Sequence, residues 1–318
     1  MAYKDTDFMY ASARVSVFET RLLTREKYMQ LIDAASEKDA VSLLGDACAP
    51  VYTDGAFDIE ATLEGLVDTA FTEVAKSIPD AKLFDFMRYE FDANNLKAAI
   101  KAKVGGVTAD GMLFACGTVA PAAAAEAVES GNFAAFPKHM AAAAPKALEA
   151  YAATRDPQRI DLAVDRAAFA DMLDAAAADK TLTDAVKLRI DAINVQSAVR
   201  MLDAGKAAGL SAVLLEGGNL PVKTFTVTDR AALAAALDEK DTEVAVLLAD
   251  ADASLAEIGR ATEKLLGEKT GAQFVPFGLA KIYAYLSAVL AEAKNLRIIF
   301  ALRAAHADRD TILQNIRV

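Results

Sequence analysis

An acid three residues ahead of an asparagine places a carboxylate and an amide on one face of a helix, a pairing that invites acid–base chemistry. This 318-residue chain writes the pairing three times, in DANNLKAAI, DAINVQSAV and EAKNLRIIF. The asparagines are Asn95, Asn194 and Asn295, spaced 99 and 101 residues apart, and the acids are Asp92, Asp191 and Glu292. An apolar residue follows each asparagine (Leu96, Val195, Leu296), and a long polar one stands two positions on (Lys97, Gln196, Arg297). Two readings are open. Buried polar groups must find partners, so the phrase can bond a neighbouring helix or backbone and fix how repeated units meet. Alternatively the three helices converge and expose part of the polar set on a shared surface where another protein docks.

Other chemistry finds little support. His139 and His306 lie far apart, and neither has a second ligand at metal-binding spacing such as HExxH. LGEKTGA (266–272) lacks a phosphate-cradling loop because Glu268 stands where that pattern needs glycine, so Gly267 and Gly271 read as a helix-ending turn. GGN at 217–219 reads as a loop before Pro221. Asp161 and Asp165 are one helical turn apart, but Arg159 and Arg166 lie nearby to neutralise them, which favours an ion network over a carboxylate pair at work. Cys48 and Cys116 form at most one bridge and suggest neither a disulfide framework nor a zinc site, which fits a reducing cytosol. No catalytic, cofactor-binding or metal-binding residue is expected.

The elements that must position the repeated phrase are helices. Hydrophobic residues make up 54% of the chain, but much of that is alanine, the best helix former. Ile282, Leu286, Val289, Ala293, Leu296 and Phe300 recur at steps of three and four, marking a long amphipathic helix. The same period runs through KLFDFMRYEFDANNLKAAIKAK, ended by Gly105 and Gly106, and through LTDAVKLRIDAINVQSAVRMLDAGK, with Thr183 as its cap and Gly205 near its end. Two windows resemble strands, 222–228 and 244–249, but lack alternating runs to pair with and are read as irregular or helical. The fold class is all-α.

The start, MAYKDTDF, shows no secretory signal, and the longest uncharged run, Gly111 to Ala125, is too short to span a bilayer. A net charge of -11 argues against nucleic acid as a partner. From Lys281 onward the balance reverses to +3, which faces either an acidic partner or solvent.

Repetition at about 100 residues divides the chain into three helical units, 1–112, 113–213 and 214–318. Short helices such as KYMQLIDAASEKDAVSLL and DRAALAAALDEKDTEVAVLL open a unit and a long helix ends it. YASARVSVFETRLL, ahead of the first copy, resembles the second half of such a long helix. Three units with a stray half at each end suggest pseudo-threefold packing.

In order and spacing, YASARVSVFETRLL, YEFDANNLKAAIKAK, DPQRIDLAVDRAAFADML, IDAINVQSAVR and FVPFGLAKIYAYLSAVLAEAKNLRIIFALRA followed by DRDTILQNIR resemble the C subunit of the V-type and A-type rotary ATPases, called the d subunit in eukaryotic vacuolar enzymes. The resemblance covers essentially the whole length. It departs at Leu290, where the family often carries the first acid of Glu-x-Glu-x-Lys-Asn, while Glu292, Lys294, Asn295 and Arg297 match. It implies a non-catalytic rotor part, peripheral on the cytoplasmic face of the membrane, with three subdomains arranged as a funnel. The implied partners are D-type and F-type central-stalk subunits in the funnel and the membrane proteolipid ring at the other end. On that view Arg14, Asp92, Asn95, Asp191, Asn194, Arg200, Glu292, Asn295 and Arg297 are the expected partner interface. A helical-repeat scaffold or binding module unrelated to ATPases is the alternative.

Overall fold

The computed structural model describes residues 3–45, 47–237, 243–250, 252–270 and 277–316. Within them the chain forms fifteen α-helices and one short hairpin. In order these are α1 (Met9–Glu19), α2 (Arg25–Asp33), α3 (Glu37–Leu43), strands β1 (Val51–Thr53) and β2 (Ala56–Asp58), α4 (Ile59–Ala75), α5 (Tyr89–Gly105), α6 (Pro121–Ser130), α7 (Lys138–Thr154), α8 (Gln158–Ala176) and α9 (Lys180–Asp203). There follow α10 (Leu210–Val213), α11 (Arg230–Leu237), α12 (Glu243–Ala249), α13 (Leu255–Thr270), α14 (Leu279–Ala304) and α15 (Arg309–Asn315).

Contacts divide the chain into two compact units, one within Leu83–Thr270 and the other joining Tyr3–Lys82 to Gly271–Val318. The first holds two separate cores. Leu96 and Ile100 of α5 pack with Met140, Ala144, Ile160 and Val164, all fully or almost fully buried. Val199 of α9 packs with Leu210, Phe225, Leu233 and Ile258, each 0% exposed. In the other unit, Ile282, Leu286, Val289 and Leu296 turn inward from α14, as their spacing predicts, alongside Phe8, Leu31 and Leu63.

One packing motif recurs within these units. The three long helices carrying the acid–asparagine phrase each lie against a partner helix: α5 on α8, α9 on α13, and α14 on α4. In the first two pairs the partner follows the long helix in sequence, and in the third it precedes it by some two hundred residues.

Local signals explain most element boundaries, with some corrections. Gly106, with φ 69°, ends α5 where the Gly105–Gly106 pair predicts. The cap of α9 is Asp179, which accepts from Thr181 N at 2.7 Å, and not Thr183, whose hydroxyl bonds the carbonyl of Ala176 at 2.9 Å. Both strand-like windows are helical: Val222–Phe225 is a 3₁₀ turn, and 244–249 lies in α12. The hairpin stands where no strand is expected. Its two-residue turn, Asp54 (φ 52°) and Gly55 (φ 82°), has positive φ twice, which is the conformation that Asp-Gly favours between paired strands. Gly267 lies inside α13 and does not end it, and Gly271 lies outside the described residues.

Candidate functional site

The acid–asparagine phrase is a lock between a long helix and the loop that follows it. In α5, Asn95 works as a two-way clamp: its Nδ2 donates to the carbonyl of Phe114 at 2.8 Å and its Oδ1 accepts from the Phe114 N–H at 2.8 Å. One turn earlier, Asp92 accepts from the Thr118 hydroxyl at 2.6 Å and from the Val119 N–H at 2.9 Å. In α9 the geometry repeats: Asn194 donates to the Leu215 carbonyl at 2.9 Å and accepts from its N–H at 2.8 Å. Asp191 accepts from the N–H groups of Asn219 at 3.0 Å and Leu220 at 3.2 Å. A side-chain amide that satisfies both polar groups of one backbone residue substitutes for the pairing that a strand would give, so an irregular loop is held as firmly as secondary structure.

Glycines let each loop come this close. A Cβ on Gly117 would lie 2.2 Å from the Asp92 carboxylate, and one on Gly218 would lie 2.1 Å from that of Asp191. The sequence carries a signal for them, a glycine 25 and 27 residues after the acid. It identifies the GGN loop at 217–219 as the backbone that receives Asp191.

The third lock differs. Glu292 of α14 accepts the N–H of Leu23, in the turn between α1 and α2, at 2.6 Å, so its partner comes from the beginning of the chain rather than from the following loop. Asn295 bonds the hydroxyl of the buried Tyr28 on α2. For Glu292 the turn preceding α2 takes the place of the loop that α5 and α9 have downstream, while α2 itself supplies the partner of Asn295.

Asp92, Asn95, Asp191, Asn194, Glu292 and Asn295 are buried, 0% to 9% exposed. Five of these side chains bind the chain's own loops and turns, and Asn295 bonds a side chain of α2. Burial raises the Asp92 carboxyl above the usual range, opposed by the donors from Thr118 and Val119.

The three arginines are nearer the surface. Arg14 of α1 ion-pairs with Glu73, donates to the Ser77 hydroxyl at 2.9 Å, and stacks on Phe18 at 5.3 Å from the ring centre. Arg297 grips Glu60 with two nitrogens, at 2.8 and 2.7 Å. Arg200 is exposed and lines a cavity of about 500 Å³ among α5, α8 and α9, whose polar lining includes Glu90, Asn94, Lys97, Asp161 and Asp165.

Asp161 and Asp165 are neutralised by lysines of α5, not by the adjacent arginines. Lys101 meets Asp161 at 2.5 Å and Lys97 meets Asp165 at 2.6 Å. Arg159 pairs with Asp156, and Arg166 donates to the carbonyl of Ala212 at 2.7 Å. Residues one or two apart on a helix do not face each other, which is why sequence proximity misleads here. The Lys101–Asp161 pair is solvent-exposed, so Lys101→Met is expected to change stability by less than about 1 kcal/mol, as thermal unfolding would show.

The basic stretch from residue 281 turns to residues of its own unit. Lys281 pairs with Glu19 at 2.8 Å, Arg309 with Asp33 at 2.8 Å, and Arg303 donates to the carbonyls of Ile32 and Ala34. Arg317 lies outside the described residues. Among the described residues no helix is long and apolar enough to cross a membrane.

Residues 11–315 match the family model described as ATP synthase (C/AC39) subunit. The chain belongs to that ATP synthase subunit family. Among its relatives is the C subunit of the A-type ATP synthase of Thermococcus kodakarensis, 26% identical over 94% of this chain and 87% of the relative. The protein of the same name from Desulfurococcus sp. (strain SY) is 23% identical over 71% of this chain and 66% of its own. At 26% identity most side chains differ between this chain and the Thermococcus kodakarensis relative. The locks specify in this C/AC39 chain which loop meets which helix.

Proposed function

We propose that this ATP synthase (C/AC39) family member is a non-catalytic rotor part that couples the central stalk to the membrane proteolipid ring of an A/V-type rotary ATPase. The observation that carries the reading is the family match over residues 11–315. It also removes the alternative of a scaffold unrelated to ATPases.

Physical features support the role. A part that transmits torque must be stiff. Long helices pinned to their loops through buried asparagines that both donate and accept resist the local opening that a flexible linker would allow. The recurring pairs α5–α8, α9–α13 and α14–α4 support three similar subdomains; their arrangement about a pseudo-threefold axis as a funnel is proposed from the family resemblance alone. Cut at the long helices, the proposed units are α5 to α8, α9 to α13, and α14–α15 together with α1 to α4, in place of boundaries at residues 112 and 213.

D-type and F-type stalk subunits are proposed to enter the funnel, and the proteolipid ring to seat the other end at the cytoplasmic face of the membrane. Of the nine expected interface residues, Arg14, Arg200 and Arg297 are proposed to meet a partner, a choice supported by their being less buried than the six polar side chains. Charge complementarity at such a surface sets register and on-rate more than affinity.

The test is co-purification of the membrane-bound ATPase with charge-reversal variants Arg14→Glu, Arg200→Glu and Arg297→Glu that keep the helical content and melting temperature of the unaltered chain. Retention of at least one variant in the complex should fall by roughly tenfold or more, the scale set by truncating a buried charge pair. Full retention of every correctly folded variant would remove the arginines from the interface. A free monomer in cells that contain the ATPase would overturn the rotor reading.

A further inference from the structure

The three locks are not equally satisfied. Asp92 and Asp191 each receive a donor on both carboxylate oxygens. Glu292 receives one, the Leu23 N–H on Oε2, and its Oε1 is buried with no hydrogen-bond partner among the described residues. The side chain is 3% exposed, so bulk solvent reaches little of it. A carboxylate in that position lacks both solvent and a second donor, whereas a carboxylic acid leaves no charge to compensate.

Among the described residues, the groups around it bring no positive charge. Tyr28 from α2 is neutral, because burial and the nearby Glu292 push its hydroxyl well up. Burial likewise raises the Cys48 thiol, in the loop after α3, to about 12, and the Tyr285 hydroxyl on α14 to about 12. The neighbouring cations are spent or turned away: Lys281 on Glu19, Arg297 on Glu60, Arg21 over the ring of Phe18, while Lys294 is exposed on another face of α14. Glu19 and Glu73 add only like charge to this surrounding.

We propose that Glu292 is a proton-operated latch: as a neutral acid it holds the turn between α1 and α2 against α14, and on giving its proton to bulk water it lets that turn go. Leu23 is the held point, since its N–H is bonded by the carboxyl itself. Burial, opposed only by that N–H, raises the Glu292 carboxyl to about 7. A group whose folded value lies above its value in water stabilises the docked state most below the ordinary carboxylate range. It loses that contribution as pH rises to the folded value, and the effect is level above it. The window therefore runs from about 4.5 to about 7. The latch needs no partner protein, so its success or failure is separable from the rotor reading.

Amide hydrogen exchange of Leu23 in the full chain tests it, corrected for the intrinsic pH dependence of exchange. Protection should fall by up to about tenfold per pH unit across that window, on the order of a hundredfold in all, and then level off. In Glu292→Gln, which keeps an acceptor for Leu23 and cannot ionise, protection should be flat with pH. The same fall in the Gln variant, or flat protection in the unaltered chain, would overturn the proposal. Should the Gln variant fail to fold, an NMR titration of the Glu292 side-chain carbon in the unaltered chain decides: a midpoint near neutral supports the latch and one in the ordinary carboxylate range ends it.

Discussion

Replacing Asn194 with leucine is expected to destabilise the unit within Leu83–Thr270 by about 3 kcal/mol or more, although the two side chains are close in size. The amide is 1% exposed and meets both the N–H and the carbonyl of Leu215. Leucine would leave both backbone groups buried and unpaired, at about 1 to 3 kcal/mol each. Asn194→Asp separates the two bonds. It keeps an acceptor for the Leu215 N–H but sets a carboxylate against the Leu215 carbonyl, so it should be at least as damaging near neutral pH. A melting temperature lowered by on the order of ten degrees is the expected reading, followed on the transition that belongs to this unit because two compact units need not unfold together. A loss under about 1 kcal/mol for the leucine variant would mean that the loop finds other partners and the asparagine is not a clamp.

Gly218→Ala should cost about 2 to 4 kcal/mol through a single added carbon. That carbon would sit 2.1 Å from an oxygen of the Asp191 carboxylate and 3.2 Å from the Ile190 side chain, closer than packed atoms come. Either the loop backs away, which breaks the donors from Asn219 and Leu220, or Asp191 rotates and remains buried without them. The double variant Gly218→Ala with Asp191→Ala discriminates strain from other causes. If the clash with the carboxylate is the mechanism, the two losses combine to much less than their sum, and additive losses would place the cost elsewhere.

Much of this arrangement was legible in the residues. The spacing of Ile282, Leu286, Val289 and Leu296 gave a buried stripe because a helix repeats every 3.6 residues and one face must leave water. The repeated acid and asparagine pointed to polar groups that need partners, but not to which partners. Asn95 bonds a residue 19 positions downstream and Asn194 one 21 positions downstream, so no fixed offset reveals the pairing. Glu292 is further from reach, since its donor stands 269 positions away and only the folded chain brings the two together. The hairpin escaped for another reason: with three residues in each strand, alternation has no length over which to show, and Asp54-Gly55 was its only mark.

The unit that gathers Tyr3–Lys82 with the stretch after Thr270 also sets an order of events at the ribosome. Helices α1 to α4 leave the exit tunnel ahead of α14, yet the apolar face of α4 finds its partner only when α14 has been made, some two hundred residues later. At about 5 to 20 residues per second that wait lasts on the order of ten seconds or more, while the intervening helices already have their own cores to close on. The face of α4 that packs on α14 is thus buried only after α14 is made, and in the interval it stays open to chaperones and proteases.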